Sequence, residues 1–110
     1  MQRDPRQYHA DHLAFVRSLP CVACLNDIET EAAHIKYGDP RAAKRPAGYG
    51  EKPSDEWVVP LCGNDHRAQH KGNERAFWQT IGIDPVFVAL ALWRVSGDHE
   101  AGEQIVRNAR

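Results

Sequence analysis

Three cysteines limit the folds open to this chain more than any other feature. Cys21 and Cys24 form the pair in "CVAC", and Cys62 closes the apolar run "VVPLC" far along the sequence. An odd number of thiols cannot all be paired in disulfides, and a C-x2-C turn with a distant third cysteine is metal-staple spacing. A staple of this kind forces a turn early in the chain to lie against the end of a later strand. The rival reading, a thioredoxin-like redox pair, needs a βαβ setting. The stretch "LPCVACLNDIET" has no helix-forming run after its second cysteine. Structural Zn2+ is therefore the expected cofactor.

At 110 residues the chain is long enough for one modest core, so a single domain spanning residues 1–110 is expected. No run of apolar residues is long enough to span a bilayer, and the N-terminal "MQRDPRQYHADH" is unlike a secretory signal. The expectation is a cytoplasmic protein with no membrane partner. Fourteen basic and 15 acidic residues leave a formal charge of −1, which offers no global attraction for phosphates. The basic residues are clustered, however. "KYGDPRAAKRP" gathers Lys36, Arg41, Lys44 and Arg45 against Asp39 alone. Such a run is a solvated loop unless it flanks a site, in which case it is a nucleic-acid contact.

Patterning predicts an α+β order of helix, C-x2-C turn, strand, long loop, strand and helices. Asp11 can cap a first helix over about 11–19, which Pro20 ends. "EAAHIKY" reads as a strand with Ala32, His34 and Lys36 on one side. A Gly- and Pro-rich loop follows from Gly38 to Asp55, long enough to suggest function or mobility. "EWVVPL" is the second strand, with Pro60 suited to an edge. One helix is expected from about Asp65 to Ile81, weakened at Gly72 and ended by Gly82. A last helix over about 84–96 has Asp84 as cap and Pro85 at its first position, with Phe87, Leu90, Ala91 and Trp93 as its core face. The polar tail after Gly97 is expected to fray.

A tetrahedral zinc needs a fourth ligand beside Cys21, Cys24 and Cys62. Asp65 would give C-x2-D, repeating the spacing of the first pair, whereas His66 would give C-x3-H. His66 and His70, four apart on a helix, share a face and can hold an ion of their own. Two surface histidines by chance is the plain alternative. Against it, His34 on the facing strand adds a third imidazole from a converging element. If His66 serves this second site, Asp65 closes the first, and that division is the preferred one.

In that order, "CVAC", "EAAHIKYGD", "GYGEKPSDEWVVPLCGNDHRAQHKGNERAFW" and "GIDPVFVALALW" resemble the HNH endonucleases. The likeness is closest to the phage Ref-like (recombination enhancement function) nucleases and covers roughly Pro20 to Trp93. The resemblance implies a zinc-stapled ββα-metal core over about 20–80 with flanking helices. It makes His34 the general base, His66 and His70 the holders of a catalytic divalent cation, and the three cysteines the structural zinc ligands. It also implies DNA as substrate and a RecA-type filament as a partner. Three positions depart from the pattern. Asp65 stands where His or Cys is more usual, Ala33 where a metal ligand often precedes the base, and Trp57 where the middle Asn would fall. Asp39 is a candidate for the missing ligand.

The residue types suit phosphodiester hydrolysis on their own chemistry. An imidazole is the natural base near neutral pH, and a divalent cation can stabilise charge on the phosphate and leaving oxygen. Imidazole ligands favour Zn2+, Ni2+ or Mn2+, while Mg2+ would need water and phosphate oxygens to complete its shell. The competing expectations are a non-catalytic zinc module that binds DNA or a recombination protein, and a plain zinc-stapled structural domain.

Overall fold

The computed structural model describes residues 8–46 and 53–110. A helix, α1 (Ala10–Arg17), leads through the cysteine turn into β1 (Thr30–His34). A 3-10 turn at Pro40–Ala42 precedes β2 (Val58–Cys62), and four helices follow: α2 (Gly63–His70), α3 (Glu74–Ile81), α4 (Pro85–Arg94) and α5 (His99–Arg107). The fold is a small α+β arrangement. Among the described residues one two-stranded antiparallel sheet pairs Thr30 with Cys62 and His34 with Val58. Val58, Val59 and Leu61 are fully buried, as are Ala33 and Ile35 from the β1 segment, so the hairpin forms the centre of the core. Pro60, opposite Ala32, has no amide to donate. Its carbonyl instead accepts from Val22 N at 2.9 Å, which ties the cysteine turn to the outer side of β2.

Several elements differ from their sequence readings. His9, not Asp11, occupies the N-cap of α1, and Asp11 lies in the first turn. The helix expected from Asp65 to Ile81 is two helices, because Gly72 adopts φ +98, where only glycine is unstrained. Asn73 then caps α3 by accepting from Ala76 N. Asp84 and Pro85 start α4 as expected, but its buried side is Val86, Val88, Ala89 and Leu92, while Phe87 is 40% exposed. The tail after Gly97 is ordered as α5, with Asp98 as cap and Val106 buried. The loop after Gly38 is also built. Asp39 and Lys44 pair as a β-bridge, and a Cβ on Gly38 would stand 2.7 Å from Pro46 Cδ. Residues 47–52 of that loop lie outside the described residues. Among the described residues no single helix is long and apolar enough to cross a membrane.

Candidate functional site

The cysteine turn is closed by its own backbone. Leu25 N donates to Cys21 O at 2.7 Å and Cys21 N to Asn26 O at 2.8 Å, with Leu25 in the left-handed region at φ 65. The Val22–Pro60 bond brings this turn to the end of β2, where Cys62 caps α2 and Asp65 lies in its first turn. Four ligand atoms converge there. The donor atoms of Cys21, Cys24, Cys62 and Asp65 all lie within 4.8 Å of one another. Cys24 Sγ is 3.9 Å from Cys62 Sγ, and Asp65 Oδ2 is 3.3 Å from Cys21 Sγ and 3.2 Å from Cys62 Sγ. Bonds of about 2.3 Å in a tetrahedron put neighbouring donors roughly 3.8 Å apart, close to these separations. The cluster can therefore bind a metal ion such as zinc, with Asp65 and not His66 in the fourth position. Burial pushes the Cys21 thiol up to about 12 and raises that of Cys62 as well. Taking up a metal must then displace protons.

His66 and His70 form a separate pair on α2. Their Nε2 atoms are 3.0 Å apart, and His66 Nδ1 lies 2.7 Å from Glu31 Oε1 on β1. A carboxylate on Nδ1 holds that nitrogen as the protonated one, leaving the Nε2 lone pair of His66 turned toward His70. Metal–nitrogen bonds of about 2.1 Å would put two cis octahedral donors roughly 3.0 Å apart. Two donors do not complete a shell, so an ion there would also need water or phosphate oxygens. Burial, His66 and Lys36 together lower the pKa of His70. The charge of Lys36, two residues beyond His34, is therefore felt at His70.

His34 has a partner that spacing did not reveal. Its Nε2 lies 2.9 Å from Asp55 Oδ1, and the carboxylate is only 3% exposed. The other oxygen of Asp55 accepts from His9 N, at the start of α1, at 2.9 Å. Glu31 and Asp55 were both invisible as site residues, since each meets its histidine across the fold and not along a helix or strand. Glu74 is a third such carboxylate. It accepts from the amides of Lys36 and Tyr37 and from Gln69 Nε2, and burial raises its pKa.

The basic loop needs correction. Lys44 is 4% exposed, donates to Tyr37 O at 2.6 Å and lies over the Trp57 ring, so it is not offered to a nucleic acid. Arg41 remains at the surface, but its guanidinium is shared by Asp39 and Asp84. Asp39 itself is occupied by Arg41 through both oxygens and belongs neither to the four-donor cluster nor to the His66–His70 pair. Lys36 and Arg45 stay exposed. Trp57, standing where an Asn was expected, braces the loop. Its amide donates to Ser54 O, its carbonyl accepts from Ile35 N, and its ring packs under Lys44. Ala33 is wholly buried and can replace no ligand.

A family profile described as "Protein of unknown function (DUF968)" matches residues 2–95, which takes in both strands, the four-donor cluster and all three site histidines. The chain belongs to the DUF968 family. No curated protein and no solved structure matches this DUF968 chain. The chemistry of the site therefore rests on its own geometry.

Proposed function

We propose that this chain is a metal-dependent DNA endonuclease of the HNH type, with His34 as general base. The reading is carried by a β1 histidine paired with a buried carboxylate, His34 with Asp55 at 2.9 Å, and by a helix packed on the same two strands that presents two imidazole nitrogens 3.0 Å apart. His34, its Nε2 paired with Asp55, would take a proton from an attacking water. His66 and His70 would hold the divalent cation (Mg2+, Mn2+ or Ni2+), which stabilises charge on the phosphoryl and leaving oxygens when bound. With zinc bound, the four-donor cluster would tie the cysteine turn to the junction of β2 and α2 and so steady the helix that carries both histidines. The exposed Lys36, whose charge helps lower the pKa of His70, is one cation available to a flanking phosphate. A phage origin and dependence on a RecA-type filament belong to this proposal through the Ref-like resemblance alone.

A second reading, a non-catalytic zinc module that binds DNA or a recombination protein, draws support from the basic loop. Its Lys44 is buried and its Arg41 is engaged by carboxylates, as expected where a loop has become structural. Supercoiled plasmid and single-stranded DNA, incubated with pure protein across Mg2+, Mn2+ and Ni2+, with and without a RecA-type filament, separate the two. Cleavage by wild type is expected, with His34→Ala slower by about 10²–10⁴-fold. Excess Mn2+ should partly restore His66→Ala and His70→Ala but not His34→Ala. Full activity in His34→Ala, or no cleavage by wild type under any of these conditions, overturns the nuclease.

A further inference from the structure

Past β1 the chain lines a cavity of about 470 Å3 that the catalytic reading leaves unused. Tyr37, three residues beyond His34, forms part of its wall, together with residues of α3 and of the turn into α4. Glu74 accepts from the amides of Lys36 and Tyr37, so the cavity is fixed to the strand that carries His34. Three residues of extended chain span at most about 11 Å, which bounds the separation. The four charged side chains of the lining balance in sign. Arg41 is shared by Asp39 and Asp84, at 2.8 and 2.9 Å. Arg75 lies over the Tyr37 ring at 4.8 Å and donates to the Gly38 carbonyl. Pro40, Ile83 and Pro85 add apolar wall. Such a lining is a poor trap for a phosphate and suits a flat, neutral group with a polar edge. Trp78 supplies a second observation. It also lines the cavity and is 1% exposed, and its indole N–H meets no acceptor among the described residues. A buried donor without an acceptor is uncommon, and an acceptor on a ligand would satisfy it.

We propose that this cavity holds one nucleobase of the DNA strand bound at His34, stacked on the Tyr37–Arg75 pair and accepting from the Trp78 indole N–H. The inference rests on the nuclease reading and adds a base-binding subsite to it. A base answers each part of the lining. Its π-face stacks on a phenol ring or a guanidinium plane whatever the sequence. Its edge carries oxygens and nitrogens that accept hydrogen bonds. Being neutral, it needs no counter-charge from Arg41, which Asp39 and Asp84 already neutralise. A phosphate would engage Arg75 but neither the ring nor the apolar wall. Burial, Asp84 and Glu74 raise the pKa of Tyr37, so its ring stays a neutral phenol at neutral pH.

NMR of 15N-tryptophan-labelled full-length protein, with no divalent cation added, tests this without cleavage. Trp57, Trp78 and Trp93 each give an indole signal, and that of Trp78 is the one lost in Trp78→Phe. The four deoxynucleosides, titrated to millimolar concentration, should move the Trp78 signal saturably, while base-free deoxyribose 5′-phosphate should not. No shift from any deoxynucleoside, or an equal shift from the sugar phosphate, overturns the proposal. The indole then meets only water, or Arg75 only an anion. On single-stranded DNA, Tyr37→Leu should lower affinity by about 5–150-fold, the loss of one stacked base. The slope of log affinity against log salt should stay the same, because no phosphate contact is removed. Wild-type affinity in a folded Tyr37→Leu also overturns the proposal. If that variant fails to fold, the wild-type titration still decides. Nucleoside binding by a protein that cuts no DNA would leave the base site standing and remove the nuclease reading beneath it. Cleavage without nucleoside binding would remove the base site alone.

Discussion

Asp65 is the hardest donor in a cluster of thiols, and softness decides how firmly zinc is held. Asp65→His should tighten zinc against a competing chelator, and Asp65→Ala should weaken it less than Cys24→Ser or Cys62→Ser. Elemental analysis with a chelator titration checks the order, and equal affinity in all four variants would remove the cluster as the zinc site. Lys44 gives a pH-dependent test. Burial lowers its ammonium from 10.5 to about 8. Between those values the unfolded chain carries a proton that the folded chain has released, so this residue makes stability rise with pH across that window. Below about pH 8 the burial penalty is present in full. Wild type should therefore gain on Lys44→Met in urea melts between about pH 8 and 10.5, whatever their difference at pH 7. A constant gap would mean the ammonium is not desolvated. The three thiols of the metal-binding cluster could be read from sequence because C-x2-C and a later cysteine follow a local rule, and the C-x2-D spacing favoured Asp65 over His66 as the fourth donor. Asp55 and Glu31 could not, because their partners are set by the hairpin and its packing.

Helix and strand order followed from local signals, and the misreadings have local causes. Gly72 could be read either as a weak point inside one helix or as a break, and only its positive φ decides. On α4 nearly every position is apolar, so periodicity cannot tell the side bearing Phe87 from the side bearing Ala89 and Leu92. The polarity of α5 concealed a buried contact. A Cβ on Gly102 would stand 2.7 Å from Phe15 Cζ and 3.1 Å from both Leu19 methyl carbons. Ala is the better helix former by about 1 kcal/mol. Overpacking a well-filled core typically costs about 1–3 kcal/mol, and Phe15 and Leu19 are themselves buried and cannot swing aside. Gly102→Ala should thus lower stability in chemical denaturation despite its propensity gain. An unchanged or higher midpoint would mean that α5 does not dock on α1 as described.

Charge across the molecule is nearly balanced, so any affinity for DNA must come from where the cations stand. Lys36, Lys71 and Arg75 are exposed: Lys71 directly follows His70 at the end of α2, Arg75 lies in the first turn of α3, and the charge of Lys36 is felt at His70. Arg75 is steadied over the Tyr37 ring at 4.8 Å. Changing these three to Ala should weaken binding and flatten its salt dependence, by up to about 0.9 in log–log slope for each phosphate no longer neutralised. Arg41→Ala and Lys44→Ala together should affect stability more than binding. The opposite pattern in salt-titrated binding assays would return the interface to the loop. The run of basic residues was legible in the sequence, but which of them would be folded inward was not, because that depends on Trp57 and Tyr37 closing over Lys44.

The last described residue has a practical bearing on all of these measurements. Arg110 donates through Nη2 to the carbonyl of Ala23, inside the C-x2-C turn. A chain joined after residue 110 would start within one arginine side chain's reach of the thiol turn. A polyhistidine tail placed there would bring surplus imidazoles to the metal cluster, inflate zinc stoichiometry and mask the loss expected from a cysteine change. Purification handles for metal analysis belong at the other terminus, or on a cleavable linker removed before the first chelator is added.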